Sequence, residues 1–247
     1  MKLTILGHTA PFPAPGRACP GYLVEEGSTR LLLDAGNGVL ERMLAHCRYE
    51  DLTAVVASHL HFDHFADLLV LRYAIDVCRA LGDRRQGLPV YAPAGPAGLP
   101  ELLTYKEATR WVPATAGEAV DVGDLRVSFV AVDHPIPTHA VIVEGERGRL
   151  AYSGDSRWGE GLIQAAQGAD LLLCEATFQD RDRHLAAPTG HLTATEAARV
   201  ADRAGAGRLV LTHIQAFYDR EVSLAEAQAV AGGPVELAEE GRVYHLG

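Results

Sequence analysis

Short apolar runs recur along the whole chain of 247 residues, separated by polar or glycine-containing segments. Because the runs are brief and rich in valine, isoleucine and leucine, they predict strands. The predicted strands span 3–6, 22–25, 30–33, 53–57, 90–92, 125–132, 140–144, 150–153, 171–174, 209–211 and 242–245. They gather into hairpin-like runs at 22–33 and 119–153, so β structure is expected from one end of the chain to the other.

Apolar residues at helical spacing predict helices at 65–81, 161–167, 195–204 and 224–230. The third has a start signal, because Thr193 and Glu196 fit a capping box that satisfies the amides of a first turn. Loops rich in glycine and proline interrupt the pattern but are too short to link separate domains. The sequence therefore predicts one α/β domain over residues 1–247, with sheets sandwiched between helices.

Composition narrows the class of protein. Hydrophobic residues make up 48 % and charged residues 22 % of the chain, which excludes disordered, collagen-like and disulfide-stapled classes. The formal net charge of −10 argues against non-specific binding to nucleic acid or membrane surfaces. Neither a signal peptide nor a membrane-spanning window is visible, so we expect no membrane association and a cytoplasmic location. The four widely spaced cysteines are expected to be reduced and mostly buried.

The densest cluster of possible metal-binding side chains follows the apolar strand at 53–57. His59, His61, Asp63 and His64 fall within six residues. Neutral imidazoles and carboxylates are ligands for divalent zinc, manganese or iron. A polar turn with solvated histidines is the alternative, but four such side chains in one short turn favour a metal site at this strand end.

This pattern resembles the signature of the metallo-β-lactamase superfamily. Members of that family fold as a four-layer αβ/βα sandwich with a one- or two-metal site at one edge of the paired sheets. Three later strand ends carry the other residues that the family requires, namely His134, Asp155 and His213. The resemblance covers nearly the whole chain and implies the same fold.

The resemblance implies two divalent metal ions per chain. Zinc is expected, and the same ligands would accept manganese or iron. Carried over residue by residue, the family pattern assigns one ion to His59, His61 and His134, the other to Asp63, His64 and His213, and Asp155 to both. A water or hydroxide would bridge the ions, and such sites lower the pKa of bound water to about 7.

Other polar residues have less specific signals. Asp34 resembles the family's early strand-end aspartate, which orients metal ligands, although a simple strand-ending turn is the alternative. His8 lies in a segment that approaches the site in this family, and either a substrate contact or a surface position fits it. The remaining histidines match no family position and are expected at the surface or hydrogen-bonded in the core; they are His46, His139, His184 and His245.

Two further segments resemble the ribonuclease Z branch of the family. In that branch a glutamate hydrogen-bonds a histidine that binds no metal and protonates the leaving group. The corresponding residues here are Glu175 and His191. A carboxylate partner raises the pKa of an imidazole and fixes its tautomer. The resemblance also places Asp63 among the catalytic residues. The alternative for His191 is that it only helps to cap the helix predicted at 195–204.

One departure from that branch affects the expected substrate. Bacterial tRNA-processing members carry a protruding arm between the third histidine and the bridging aspartate, but His134 and Asp155 are close in sequence. The sequence therefore favours a dinuclear metal-dependent phosphodiesterase that uses a metal-bridging hydroxide on a small nucleotide or short oligonucleotide, with tRNA an unlikely substrate. Hydrolysis of a carboxyl ester, lactone or thioester is the alternative within enzymes, and a non-catalytic metal-binding module is the alternative of another class. The family implies a homodimer.

Overall fold

The computed structural model describes residues 1–247. Its strands, in chain order, are β1 (Lys2–Gly7), β2 (Thr9–Ala10), β3 (Gly21–Glu26), β4 (Thr29–Ala35), β5 (Ala54–Val56), β6 (Leu88–Ala92), β7 (Thr109–Pro113), β8 (Ala119–Val122), β9 (Leu125–Ala131), β10 (His139–Glu144), β11 (Arg149–Tyr152), β12 (Leu171–Glu175), β13 (Leu209–Thr212), β14 (Ile214–Gln215), β15 (Val235–Leu237) and β16 (Val243–His245). The α-helices are α1 (Val39–Met43), α2 (Phe62–Phe65), α3 (Leu68–Leu81), α4 (Glu160–Ala166), α5 (Arg183–Thr189), α6 (Ala194–Ala204) and α7 (Arg220–Gln228). No helix has both the length and the apolar character needed to cross a bilayer.

Two mixed sheets of seven strands face each other. The first has the order β16-β1-β3-β4-β5-β6-β7, and the second has the order β15-β13-β12-β11-β10-β9-β8. Within the first sheet β4 to β7 run parallel, and within the second β11, β12, β13 and β15 run parallel. The two-residue strands β2 and β14 pair with each other in parallel, outside both large sheets.

The strands are apolar on both faces because each sheet is covered on both sides. In β4, Leu31 and Leu33 point into the layer between the sheets, whereas Leu32 faces the layer beneath α1 and α3. In β12, Leu173 faces the other sheet and Leu172 packs against α4 and α6. Runs without polar alternation are typical of such doubly covered strands. The predicted four-layer α/β sandwich is confirmed.

Most predicted elements are present with small shifts at their ends. The capping box of α6 is formed as predicted, with Thr193 and Glu196 bonding each other's backbone amides. Strands β7 and β15, the pair β2 and β14, and helices α1 and α5 were not predicted. These segments are short, and α5 contains Pro188, so neither periodicity nor helix propensity marks them.

The long helix predicted at 65–81 is divided in two. A single turn, α2, is followed by α3, and Asp67 lies between them. The Asp67 carboxylate accepts hydrogen bonds from the amides of Gly38 and Leu40, at 3.1 and 3.0 Å, so it caps α1 instead of its own helix. Asp67 also donates its amide to the carbonyl of Ala35. The break is therefore fixed by contacts with a distant segment.

Only a β-hairpin separates His134 from Asp155. Strands β10 and β11 pair antiparallel, with Val141 opposite Tyr152, and the turn closes with a bond from the Gly145 amide to the Gly148 carbonyl. The predicted pair of strands is confirmed, and the chain contains no additional element at this point.

Candidate metal centre

The polar residues singled out from the sequence follow strands that run in the same direction. Ser58 and His59 follow β5, His134 follows β9, and His213 follows β13. Asp34 is the second-last residue of β4, and Glu175 is the last residue of β12. Asp155 lies just after β11. Side chains at the carboxyl ends of parallel strands meet at one edge of the sheets, where α/β proteins commonly bind ligands. The structure brings these residues together at that edge.

A first group of ring nitrogens comes from two segments of the chain, the turn after β5 and the segment after β9. The Nδ1 atom of His61 lies 3.1 Å from Nε2 of His59 and 3.1 Å from Nε2 of His134. Asp155 Oδ2 lies 3.6 Å from His59 Nε2. We refer to His59, His61 and His134 as group one.

A second group lies on the other side of Asp155. The Nε2 atoms of His64 and His213 are 3.1 Å apart, and Asp63 Oδ2 lies 3.4 Å from Nε2 of His213. The Asp155 oxygens lie 3.4 Å from both histidines, Oδ1 from His64 and Oδ2 from His213. We refer to Asp63, His64 and His213 as group two, and Asp155 contacts both groups.

The backbone is strained at two of these strand ends. His213 has φ of 56° and Asp34 has φ of 54°, both in the left-handed region that non-glycine residues seldom adopt. Each such residue costs of order 1 kcal/mol, so the surrounding contacts must hold it in place. At His213 this conformation turns the chain between β13 and β14 and directs the ring towards Asp155.

Four of the histidines are fixed through their second ring nitrogen. This arrangement sets the tautomer and orients the ring of a metal ligand. The Nδ1 contacts are His59 with Ser58 Oγ at 3.1 Å, His134 with the Gly190 carbonyl at 2.9 Å, His64 with Asp34 Oδ2 at 2.7 Å, and His213 with Thr177 Oγ1 at 2.8 Å.

Asp34 links the two sheets beneath the site. Besides His64, its fully buried carboxylate accepts bonds from the Ser58 amide at 2.7 Å, the Ser58 hydroxyl at 2.8 Å and the Tyr152 hydroxyl at 2.6 Å. The structure therefore favours the ligand-orienting interpretation of Asp34 over the simple turn.

Electrostatics differ between the groups. Burial lowers the pKa of His59 well below its usual value, and the neighbouring His64 adds to this. Burial would also lower the pKa of His64, but the carboxylates of Asp155, Asp63 and Asp34 raise it well above the usual value. Burial acts to raise the pKa of Asp155, yet His213, His64 and His59 hold it well below its ordinary value. The shared carboxylate is therefore ionised.

The donor set fits divalent metal ions. His61 Nδ1 lies 3.1 Å from two other ring nitrogens, and one ring nitrogen cannot hydrogen-bond to both at once. Nitrogens bound tetrahedrally at 2.0–2.1 Å from zinc lie about 3.3 Å apart, close to this spacing. Asp155 Oδ1 is buried and has no hydrogen-bond partner. Converging imidazoles beside an unpartnered carboxylate oxygen are what a cation site requires.

The buried Glu175 and the half-buried His191 form a pair beside the two groups. His191 Nδ1 lies 3.1 Å from Glu175 Oε1. Burial alone would lower the pKa of His191, but Glu175 raises it to about 9, with a smaller contribution from Asp155. The His191 ring stacks on His213, with centroids 5.5 Å apart, and meets the edge of His134 at 5.2 Å.

Thr177 connects this pair to group two, and the sequence analysis did not find it. Its hydroxyl donates to Glu175 Oε2 at 2.6 Å and accepts from His213 Nδ1 at 2.8 Å. Glu175 also accepts the amides of Ser156 at 2.7 Å and Leu192 at 3.1 Å. Thr177 follows directly on Glu175-Ala176, so a hydroxyl two residues after the glutamate was the available signal.

A third set of possible ligands includes His191. Its Nδ1 atom lies 3.9 Å from Asp155 Oδ2, and His213 completes the set. Because the same nitrogen is hydrogen-bonded to Glu175, a proton on Nδ1 excludes it as a ligand. The geometry therefore favours His191 as a residue that lies beside the two ligand groups and binds no metal itself.

The other histidines divide into exposed and buried positions. His46, His184 and His245 are exposed, in agreement with the prediction. His139 is buried with Nδ1 unpartnered, so the expected hydrogen-bonded core histidine is wrong for that nitrogen. The surface option for His8 is also wrong: it is buried, and burial together with Arg220 lowers its pKa to about 3. All four cysteines are free thiols, and Cys78 is the only one not fully buried.

Comparison with known proteins identifies the family. The β-lactamase superfamily domain matches residues 29–214. The probable metallo-hydrolase YhfI of Bacillus subtilis is 34 % identical over 99 % of both chains, and its crystal structure, a metallo-β-lactamase fold, superposes with a TM-score of 0.94 over 98 % of both chains. The chain belongs to the metallo-β-lactamase superfamily.

Ribonuclease Z proteins are also similar to this member of the superfamily. The ribonuclease Z of Ignicoccus hospitalis is 31 % identical and aligned over 93 % of both chains. The short form of human tRNase Z is 25 % identical, with a TM-score of 0.77 over the full length of both chains. The predicted family and its relation to ribonuclease Z are confirmed. The chain is a metallo-hydrolase, and its family implies divalent metal ions at the His and Asp cluster.

Proposed function

We propose that this metallo-hydrolase is a dinuclear phosphodiesterase that acts on a small nucleotide or short oligonucleotide. The observation that carries the proposal is the pair of the buried Glu175 and the half-buried His191, which lies against both ligand groups. Cleavage of a phosphodiester releases an alkoxide, and a poor leaving group of this kind needs a proton in the transition state.

The ligand groups would each hold one ion. Group one and group two supply three side chains apiece, and Asp155 serves both. Bound divalent ions would supply Lewis acidity towards the phosphoryl oxygens and acidify a water nucleophile. Zinc suits imidazole and carboxylate ligands, and manganese or iron would also fit them.

His191 would donate the proton to the leaving oxygen. Glu175 raises the pKa of His191 against the effect of burial, which favours the protonated ring. Since Nδ1 is held by Glu175, the proton for transfer is on Nε2. Glu175 itself is anchored by two backbone amides, so it positions the ring and stabilises its charge.

Asp63 would have a second task besides binding metal. Its side chain is 12 % exposed, whereas that of Asp155 is 2 % exposed, so Asp63 is the carboxylate of the centre that faces solvent. In that position it can accept a hydrogen bond from the attacking water and hold it in line with the phosphorus.

The substrate is proposed to be small. The segment between His134 and Asp155 is a plain β-hairpin and offers no arm to grip a folded RNA. The net charge of −10 opposes an extended polyanion, because the phosphate backbone dominates affinity for nucleic acids. Transfer RNA is therefore not the proposed substrate, although relatives are named ribonuclease Z.

The test is hydrolysis of bis(p-nitrophenyl) phosphate and p-nitrophenyl acetate by the metal-loaded protein. We expect phosphodiesterase activity that disappears on chelation and returns with metal. The exposed His184, replaced in His184→Ala, is a matched control for the histidine variants, since it lies on α5 away from both groups. Esterase activity alone would favour ester, lactone or thioester hydrolysis, and metal binding without either activity would favour a binding module.

A further inference from the structure

The phenylalanines of this chain fall into two sets. The chain has six, and Phe65, Phe129 and Phe178 are buried. The other three, Phe12, Phe62 and Phe217, are 51 %, 63 % and 67 % exposed. Exposed aromatic rings forgo much of their favourable burial, so a cluster of them at one place marks a binding surface. All three lie in segments that carry or adjoin the metal centre.

Phe12 and Phe217 lie on neighbouring segments. Strands β2 and β14 run parallel with Ala10 opposite Gln215, and the Ala216 amide bonds to the Ala10 carbonyl at 2.9 Å. Each phenylalanine is two residues beyond this register pair, so both follow directly on the same pair of strands. His213 immediately precedes β14, so Phe217 lies four residues after a member of group two.

Phe62 reaches the same edge from another segment. It lies between His61 and Asp63 and stacks on the buried Phe65, with centroids 5.3 Å apart. Gly36 ties its segment to the one that carries Phe12. A Cβ at Gly36 would meet both the Asp63 carbonyl and the Cys19 side chain, so these two chain segments pack against the same glycine.

The Phe12 segment is held in place. The Arg17 guanidinium donates to the Ala216 carbonyl at 3.0 Å, which links the segment to the one before Phe217. The Ala18 carbonyl accepts the amides of His8 and Thr9 at the base of the loop. A surface ordered before binding loses less entropy when a ligand arrives.

We propose that Phe12, Phe62 and Phe217, here called the aromatic rim, form a subsite that stacks the nucleobase of the substrate while its phosphate lies at the metal centre. The inference rests on the proposed phosphodiesterase function and deepens it by assigning the recognition of the base. Stacking of a base on an aromatic ring contributes roughly 1–3 kcal/mol and tolerates any base, because each has a flat π face.

The type of side chain favours a planar ligand. The rim consists of aromatic rings alone, whereas the exposed apolar face of α3 is mostly aliphatic, with Val70, Val77 and Leu81. An acyl chain would be accommodated as well by aliphatic side chains. A polynucleotide would require basic residues along its backbone, which the net charge of −10 does not favour.

Two phosphodiesters with the same leaving group test the proposal. We compare the p-nitrophenyl ester of thymidine 5′-monophosphate with methyl p-nitrophenyl phosphate, which has no base. Phe217→Leu keeps the apolar bulk but removes the ring, and Phe217→Trp keeps a ring. We expect Phe217→Leu to lower kcat/KM for the thymidine ester about tenfold and to leave the methyl ester unchanged, with Phe217→Trp close to wild type. Phe12→Leu should act in the same direction, and Leu81→Ala on α3 is the exposed apolar control.

The outcomes separate the subsite from the proposed function. Equal losses for both esters, or none, would overturn the aromatic rim while the phosphodiesterase stands. If wild type hydrolyses neither ester, the proposed function fails, and calorimetric binding of adenosine 5′-monophosphate to the metal-loaded protein decides the rim. Weaker binding by Phe217→Leu would support it, and unchanged binding would overturn it. Conversion of a dimer to a monomer by Phe217→Leu, with unchanged nucleotide binding, would show that the rings pack against a second copy instead.

Discussion

The two ligand groups are built from similar side chains but are supported differently. In group one, the second ring nitrogens of His59 and His134 contact a serine hydroxyl and a backbone carbonyl. In group two, His64 contacts the Asp34 carboxylate directly, and His213 reaches the Glu175 carboxylate through Thr177. Each group thus has one histidine linked to a carboxylate through a hydroxyl, since Ser58 also donates to Asp34, but only His64 of group two contacts a buried carboxylate directly.

This difference shows where the protein concentrates negative charge. Group two contains its own carboxylate, Asp63, and shares Asp155 with group one. A cation is stabilised more strongly by nearby buried carboxylates than by neutral dipoles, because the low-dielectric interior screens charge weakly. We therefore expect group two to retain its ion longer than group one when metal is removed by a chelator.

The largest effect is expected from Asp155→Ala, which removes the residue common to both groups. Loss of the shared carboxylate leaves two cations without the charge that separates them, so both should bind poorly. Metal content should fall well below two ions per chain, as measured by plasma emission spectroscopy, and activity should be almost abolished. A variant that keeps more than about a tenth of the wild-type rate, a barrier change below about 1.4 kcal/mol, would contradict the shared role.

Single-ligand variants should separate the groups. We expect His61→Ala to empty group one and His213→Ala or His64→Ala to empty group two, each leaving about one ion per chain. Plasma emission spectroscopy after dialysis gives the stoichiometry, and His184→Ala should keep the wild-type value. Full metal content in the variants of both groups would contradict the assignment of one ion to each group.

His191 contacts rings of both groups but is proposed to bind no ion. His191→Ala should keep its metal and slow hydrolysis of substrates with a poor alkoxide leaving group by roughly 10²- to 10⁴-fold. Substrates that release p-nitrophenolate, which is stable without a proton, should lose much less. Glu175→Gln should show the same pattern in weaker form. Loss of metal from His191→Ala would instead support the set formed by Asp155, His191 and His213.

The smallest effects should come from the residues that orient the ligands. Asp34→Asn removes the charge behind His64 and should weaken the ion of group two by about 10- to 100-fold. Thr177→Val breaks the link between His213 and Glu175 and should weaken the same ion, with less effect than Asp34→Asn. Ser58→Ala removes the hydroxyl that links His59 to Asp34 and should affect group one more weakly still. Competition with a chromophoric chelator measures each affinity, and equal effects of Asp34→Asn and Ser58→Ala would remove the contrast between the groups.

Much of the site could be predicted because its residues follow apolar strands. His59, His61, Asp63 and His64 occupy one turn, and the resemblance to the metallo-β-lactamase superfamily identifies His134, Asp155 and His213 after later strands. The structure brings all seven together, and their roles as ligands remain predictions. Thr177 was missed although it lies two residues after Glu175, because its contact with His213 joins residues far apart in the chain. The break at Asp67 was missed for a related reason: it depends on the amides of Gly38 and Leu40, which the local sequence does not reveal.

Local sequence patterns and the family resemblance were enough to predict the layers of the fold and the candidate ligands. The folded chain alone shows how Asp155 contacts both groups, how Thr177 joins Glu175 to His213, and that His8 is buried. It also pairs β2, which precedes Phe12, with β14, which precedes Phe217. These features depend on contacts between residues far apart in the chain, and a two-residue strand or a single hydroxyl leaves no periodic signal from which such a contact could be predicted.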